Sequence, residues 1–564
     1  MNLTARKMLA LAAASLLAAG ATACDSDSTG SDPLTAPLGV TASATGLNTI
    51  RVTWNQVPGA DHYEIDRAPA GGTFATLSSN VLGTFYDDSG LTAGTTYRYV
   101  VRAVKGSTVS GASVEASATT GAEGPKVRTL TGFISANTTL YADSTYILSG
   151  YVKVTNAATL TIQPGTKIVG DTTTPGSSLW VLRGSKIVAV GTAAAPIVFT
   201  SQRAVGNRRP GDWGGVIIIG NAPINRTANP ILTEGPVGVS ENYAGGTNFN
   251  DNSGQLKYVR IEFAGYDVSN GGGQELNSLS SYAVGRGTTY EYVQVMAGLD
   301  DGFEWWGGGV DGRYLVSYNA GDDHYDWSEG YQGRNQFLIA LQDTVLPPRA
   351  GTGTLASDPR GFEGDGCDNA VPGCTFANTP YSSPVFANFT VIGPGPGVFT
   401  PQDGNGAVIR RGSAGTLVNG VIGRWPGFGI SLRNTESDAL RALDSLMVRN
   451  VHLVDNGNNF EPAGTNFGAN LNNPAYNITT GTGVSALFTS LPAPVAPTTV
   501  ANLDWTPSAG SALATGGMAS FTGTPIAGRV NGYFGGTLSG TTYRGAADPA
   551  GAKWWQGWTA YARH

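Results

Sequence analysis

The chain has 564 residues with 80 Gly and 30 Pro, only 13% charged residues and a formal net charge of −7. So little charge beside so many turn formers excludes a helical bundle, a coiled coil and a charge-rich cytosolic enzyme, and suits an all-β chain, of more than one domain or one long repetitive domain by its length. The acidic balance offers no basic field to a phosphate backbone, so nucleic acid is not an expected partner.

Residues 1–24 read as a processing segment. Arg6 and Lys7 precede an apolar stretch (8–20) too short to span a bilayer, and small residues 21–23 lead into Cys24. That pattern, with Ala21 where Leu is usual, resembles a bacterial lipoprotein signal, which implies that Cys24 becomes the lipidated first residue. The polar, turn-rich residues 25–35 suit a flexible tether. No later segment carries 18 consecutive apolar residues. The expected membrane partner is therefore a lipid anchor, and the expected location is the outer membrane or cell surface.

Residues 36–120 alternate apolar and polar positions in short runs: IRVTW (50–54), HYEIDR (62–67) and TYRYVVRAV (96–104). With Pro37 ahead of the first strand, Trp54 and Tyr63 in early strands, and Leu91 and Tyr97 in LTAGTTYRYVVRAV (91–104), the segment resembles a fibronectin type III module. The resemblance implies that Trp54 and Tyr97 are core and corner residues and that the module is a spacer. Residues 121–127 read as a linker.

From residue 128 the pattern changes. GTKIVG (165–170), GSKIVAVGT (184–192) and PIVFTS (196–201) are short β runs broken by Gly, and further runs follow at WGGVIIIG (213–220), LKYVRIEFAG (256–265), YEYVQVMAG (290–298) and beyond. Strand–turn–strand units about 20 residues apart are the mark of a solenoid. The predicted fold is all-β: a fibronectin type III β-sandwich followed by a right-handed parallel β-helix solenoid over 128–564, closed by a C-terminal cap. The second domain resembles the pectin-lyase-like β-helices, and the segment 503–517 resembles their terminating coil. More narrowly, DWGGVIIIG, LKYVRIEFAG, DDGFEWWGG, DDHYDWSEGY and the closing WWQGWTAY resemble a group of bacterial surface lipoproteins of unassigned biochemical activity.

One internal alignment bears on function. DDGFEWWGG begins at Asp300 and DDHYDWSEG at Asp322, an offset of 22 that superposes Asp300 on Asp322, Asp301 on Asp323, Glu304 on Asp326, Phe303 on Tyr325 and Trp305 on Trp327. In a β-helix such a shift stacks residues on successive coils, about 4.8 Å apart. With the aromatics inward, the acids form a ladder on the outer face. At that spacing two carboxylates repel by about 3–4 kcal/mol at an effective dielectric near 20. Three readings follow for Asp300, Asp301, Glu304, Asp322, Asp323 and Asp326. They cap turns and face solvent, they bind a cation such as Ca²⁺, or they form a catalytic site. Arg313 or Arg334 could neutralise the ladder, or an acid of each pair could stay protonated.

As an enzyme, the chain would be a polysaccharide lyase or glycoside hydrolase using Asp301 and Asp323 with Arg313 or Arg334 as base. The Gly-His-Gly and Arg-Ile-Lys tripeptides of hydrolase relatives do not occur, nor do HExxH, GxSxG or P-loop motifs. The favoured expectation is a non-catalytic surface protein that adheres or binds a polysaccharide, with Trp306 as the exposed aromatic for stacking a sugar. A purely structural surface or matrix role is the third option. The C-terminal trio Trp554, Trp555 and Trp558 reads as a cap over the open solenoid end, and RGFEGDGCDNAVPGC (360–374) as a long insertion on its flank. Within that insertion, an exported protein is expected to join Cys367 to Cys374 in a local disulfide, a metal pair being the alternative.

Overall fold

The computed structural model describes residues 34–121, 126–269, 274–398, 404–464, 466–491 and 503–564. The expected signal segment with Cys24, and the expected tether as far as Pro33, lie outside the described residues. The chain divides into two compact units at Gly124/Pro125.

The first unit is a β-sandwich. Its smaller sheet holds strands Thr41–Ala44, Thr49–Thr53 and Phe85–Ser89, and its larger one is built on His62–Pro69 and Thr96–Lys105. The alternating residues Ile50, Val52, Ile65, Tyr99 and Val101 fill the space between, with Trp54 edge-on to Tyr63 at 5.3 Å. Tyr97 makes the corner, its hydroxyl accepting the Thr92 N–H at 3.1 Å while Leu91 is buried.

The second unit is a parallel β-helix. Two parallel sheets of 11 and 17 strands run its length, and their inward side chains form one apolar core from Ile134 to Tyr476. Several coils advance by 22 residues, as in Thr138↔Leu160 and Tyr290↔Gly312. Insertions lengthen others, as between Tyr325 and Phe362. Coil length thus varies without disturbing the stacking, because each coil need only return to register. Among the described residues the single α-helix is Thr435–Ala442, and no helix is long and apolar enough to cross a membrane.

The larger sheet bends sharply once per coil, at a residue with left-handed backbone. Tyr258, Tyr292, Tyr314, Phe337, Asn388, Asn419 and Asn450 occupy this position, with φ between 49° and 63°. Asn tolerates that region, whereas bulky aromatics seldom enter it. Here stacking offsets the cost: successive rings lie 4.3, 4.5 and 5.2 Å apart and nearly parallel, each pair stabilising by about 1 kcal/mol.

The C-terminal residues do not cap the solenoid end. They run along its flank as a strap over the outer face of the larger sheet. Gln336 Nε2 donates to Ser539 O, Asn388 Nδ2 to Thr541 Oγ1, and Gln294 exchanges two hydrogen bonds with Ala560. Trp558 lies edge-on to Tyr258 and Tyr292, and Trp554 packs on Tyr314. The trio therefore seals the aromatic column, a lateral role that local sequence did not signal. Nor is 503–517 a terminal coil, since Asp504–Pro507 pairs antiparallel with Phe488–Ser490 and joins neither long sheet.

Candidate metal centre

Strands Phe303–Trp306 and Tyr325–Ser328 lie side by side in the 11-strand sheet, with Phe303↔Tyr325, Glu304↔Asp326 and Trp305↔Trp327 in register. Alternation along a strand then decides which way each side chain points. Phe303, Trp305, Tyr325 and Trp327 join the core, and the Phe303 and Tyr325 rings stack at 5.4 Å. The two Trp rings find other partners: Trp305 stacks on Tyr331 at 5.1 Å, and Trp327 packs on Phe386 at 4.9 Å. Glu304 and Asp326 are left on the outer face.

A third rung follows that the 22-residue offset could not reach. Arg360–Asp365 is not a flank insertion but the next strand of the same sheet, setting Phe362 beside Tyr325 and Glu363 beside Asp326. Gly364 is required there, because a Cβ would meet the Trp327 ring at 2.2 Å. The repeated phrase Phe-Glu, in GFEWW and GFEGD, was the available signal. The long segment 343–359 hid it by stretching that coil. Cys367 and Cys374, just beyond the strand, are joined in a disulfide.

The paired aspartates ahead of these strands divide the work. Asp301 Oδ1 accepts the Asp323 N–H of the next coil at 2.8 Å, and Asp323 Oδ1 accepts the Arg360 N–H at 2.6 Å. Asn277 Oδ1 does the same for Asp301 N, so Asn277, Asp301, Asp323 and Arg360 form a ladder linking turns of successive coils. The carboxylate of Asp323 is also held by the Arg360 guanidinium at 3.2 Å. Asp300, Asp322 and Asp326 have no side-chain hydrogen bond or ion pair among the described residues, and Asp322 Oδ1 and Asp326 Oδ1 are buried without a partner. Asp326 is only 9% exposed.

Two sets of carboxylates converge, Asp300/Asp301/Asp322 and Asp301/Glu304/Asp326, with their oxygens within 4.8 Å of one another. Two oxygens each about 2.4 Å from a single Ca²⁺ lie at most about 4.8 Å apart, so both sets match a hard cation and share Asp301. Asp323 stands apart from both sets. Burial, then the charges of neighbouring acids, drives the carboxyls of Asp300, Asp301, Glu304 and Asp326 well above the usual carboxylate range. Asp322 is raised in the same way, burial first. The segment between strands Val216–Ile219 and Gly254–Glu262 adds Glu234, which sequence spacing could not place here. Asn277 Nδ2 donates to both Glu234 and Glu304, and burial beside Glu275 pushes Glu234 up to about 8.

Three expected participants lie elsewhere. Arg313 pairs with Glu291 and Arg334 with Asp311, all on the 17-strand sheet, so neither can serve as a base or counter-charge at the ladder. The cations beside the acids are Arg360, which pairs with Asp323, Asp358 and Glu363, and Arg410, which pairs with Glu363 and Asp365. Trp306 is not an exposed platform. It is 9% exposed, stacked 4.0 Å from Tyr282 in a cluster with Ile231 and Tyr243 of the segment that also carries Glu234. His324 is buried, its Nδ1 within 2.7 Å of Ser317 Oγ, and burial lowers its pKa to about 3.

The family profile described as a pectate-lyase-like beta helix domain matches residues 132–491. The chain belongs to the pectate-lyase-like β-helix family. A fibronectin type III profile matches residues 35–119. Among solved structures, an Fn3-like protein from Clostridium thermocellum is 35% identical, with 16% of this chain and 95% of that one covered and a TM-score of 0.15. The fn3 domain of human collagen alpha-1(XX) chain is 26% identical, with 17% and 95% covered and a TM-score of 0.16. No curated protein matches the chain. A fibronectin type III module joined to a pectate-lyase-like β-helix is the make-up of a surface or carbohydrate-related protein.

Proposed function

We propose that this family member is a lipid-anchored cell-surface protein, exported through its signal segment and held by Cys24. Its β-helix binds an acidic polysaccharide through a divalent cation, Ca²⁺ by ligand type. The observation that carries the reading is the group of converging carboxylates of Asp300, Asp322 and Asp326, which have no side-chain partner among the described residues: Asp326 is buried, Asp300 and Asp322 are half-buried, and Asp322 Oδ1 and Asp326 Oδ1 are shut off from solvent. A buried carboxylate left alone is costly, and a cation relieves several at once. A Ca²⁺ held by three or four side-chain oxygens keeps positions for further oxygen ligands, which uronate carboxylates can fill. The fibronectin type III module is the spacer between anchor and β-helix.

The test measures the thermal transition of the β-helix with Ca²⁺ and with chelator, then retention on polygalacturonate with and without Ca²⁺. The expected result is a transition raised by several degrees with Ca²⁺, and Ca²⁺-dependent retention that Asp301→Asn abolishes. An unchanged transition would sink the cation, and retention independent of Ca²⁺ would sink the bridging role. New chain ends on the polysaccharide would turn the reading towards a lyase or hydrolase at the same acids.

A further inference from the structure

A second charged site lies beside the acidic turns and has the opposite sign. Arg203, Asn207, Arg209 and Arg349 line a pocket of about 340 Å³. It adjoins the cation cluster through one carbonyl, because Gly211 N and Leu299 N both donate to Ala264 O, and Leu299 precedes Asp300.

The pocket is built on a buried carboxylate. Asp212 accepts from Ser201 Oγ at 2.6 Å, from Arg209 N at 3.0 Å and from Arg349 Nε at 2.5 Å. Arg349 also donates to Asn207 O at 2.7 Å, which fixes its guanidinium against the loop. Arg203 lies 3.7 Å from Asp212, too far to hydrogen-bond, and its buried Nε has no partner. Arg209 has no carboxylate partner among the described residues; its Nη1 meets Arg208 O and His564 Nδ1. Close by, Arg208 and Arg260 share Glu262. Five guanidiniums therefore gather around two side-chain carboxylates, on a chain whose net charge is −7.

We propose that this pocket binds a tetrahedral oxyanion, a sulfate or phosphate ester carried on a glycan. Planar guanidinium forks suit such oxyanions, and Arg203 and Arg209 hold donors that no protein acceptor uses. The pocket, of about 340 Å³, is larger than a bare sulfate ion fills, and the excess accommodates the sugar that bears the ester. The site is independent of the cation proposed above, so its test is run in chelator.

Binding of the full chain to dextran sulfate, unsulfated dextran and inorganic sulfate is measured at physiological salt. Dextran sulfate binds and dextran does not. Arg203→Ala and Arg209→Ala each weaken binding about tenfold, the scale of one charged hydrogen bond. Arg128→Ala, at an exposed position of the β-helix far along the sequence, leaves binding unchanged. Thermal transitions of the variants stay close to the parent, since Asp212 keeps its hydrogen bonds from Ser201, Arg349 and the Arg209 N–H, and Arg203 meets it only at 3.7 Å. Equal losses in all three variants would reduce the effect to net charge and overturn the site. Inorganic sulfate binding as tightly as the polymer, per sulfate, would overturn the glycan assignment. No binding to dextran sulfate would overturn both.

Discussion

The two long sheets of the solenoid both bury charge on their outer faces, and they resolve it in opposite ways. On the 17-strand sheet Arg334 is fully buried. It forms a two-point pair with Asp311 and donates to the carbonyls of Arg529 and Asn531 in the C-terminal strap. The Arg334–Asp311 pair is satisfied by the chain itself. On and just ahead of the 11-strand sheet, Asp300 and Asp322 converge on Asp301 from one side and Asp326 from the other, and none of the three has an ion pair of its own among the described residues. The first face is finished when the chain folds, whereas the second awaits protons or a cation. Burial of charge alone is thus no mark of function; burial of charge that the protein leaves unpaired is the informative sign.

The largest effect that would test this contrast is on the finished face. Arg334→Ala leaves the buried Asp311 with only the N–H of position 334 and Arg286 at 3.9 Å, and should destabilise the β-helix by about 3–5 kcal/mol, with or without Ca²⁺. Its thermal transition in both conditions checks this, and a Ca²⁺-sensitive loss would blur the distinction between faces. On the unfinished face Asp326→Asn should do the reverse. In chelator it removes repulsion and stabilises by about 1 kcal/mol, a fraction of the pairwise cost at this spacing. In Ca²⁺ it should forfeit most of the stabilisation that the parent gains. A variant less stable than the parent in chelator would mean that Asp326 has a protein partner after all.

The smallest effect is on pH dependence. The raised acids hold protons in the folded chain that the unfolded chain releases, so their contribution is present at low pH and lost as pH rises through the folded pKa. Glu234 and Glu363, both pushed up to about 8 by burial first, carry that loss as far as about pH 8. His324 and His452, lowered by burial to about 3 and about 4, act oppositely by weakening the fold as pH falls below 6.5. The interval from pH 6.5 to about 8 isolates the acids. The chelated protein should lose stability across it and the Ca²⁺-loaded protein should not, as melting curves at fixed ionic strength would record.

Much of the architecture was legible because it is periodic. The 22-residue offset between Asp300 and Asp322 is the same offset that sets Glu304 beside Asp326 in the sheet. The alternation Phe-Glu-Trp and Tyr-Asp-Trp, read as aromatics in and acids out, follows from the two-residue pleat. The site was legible only where that period held. Glu363 escaped because an insertion changed its coil length. Glu234 escaped because it comes from a covering segment with no repeat. The same segment buries Trp306, which sequence left looking exposed.

By itself, then, the sequence determined the two-domain all-β plan, the coil register and the acidic rungs, since each depends on residues a fixed distance apart. Tertiary structure alone decided which cations face those acids. Arg313 lies only nine positions beyond Glu304, yet the coil turns a corner between them and delivers it to the other sheet. Arg360 and Arg410, 56 and 106 positions away, return to the acidic face. Proximity in a solenoid is counted in coils and not in residues, and only the folded chain shows where each coil begins.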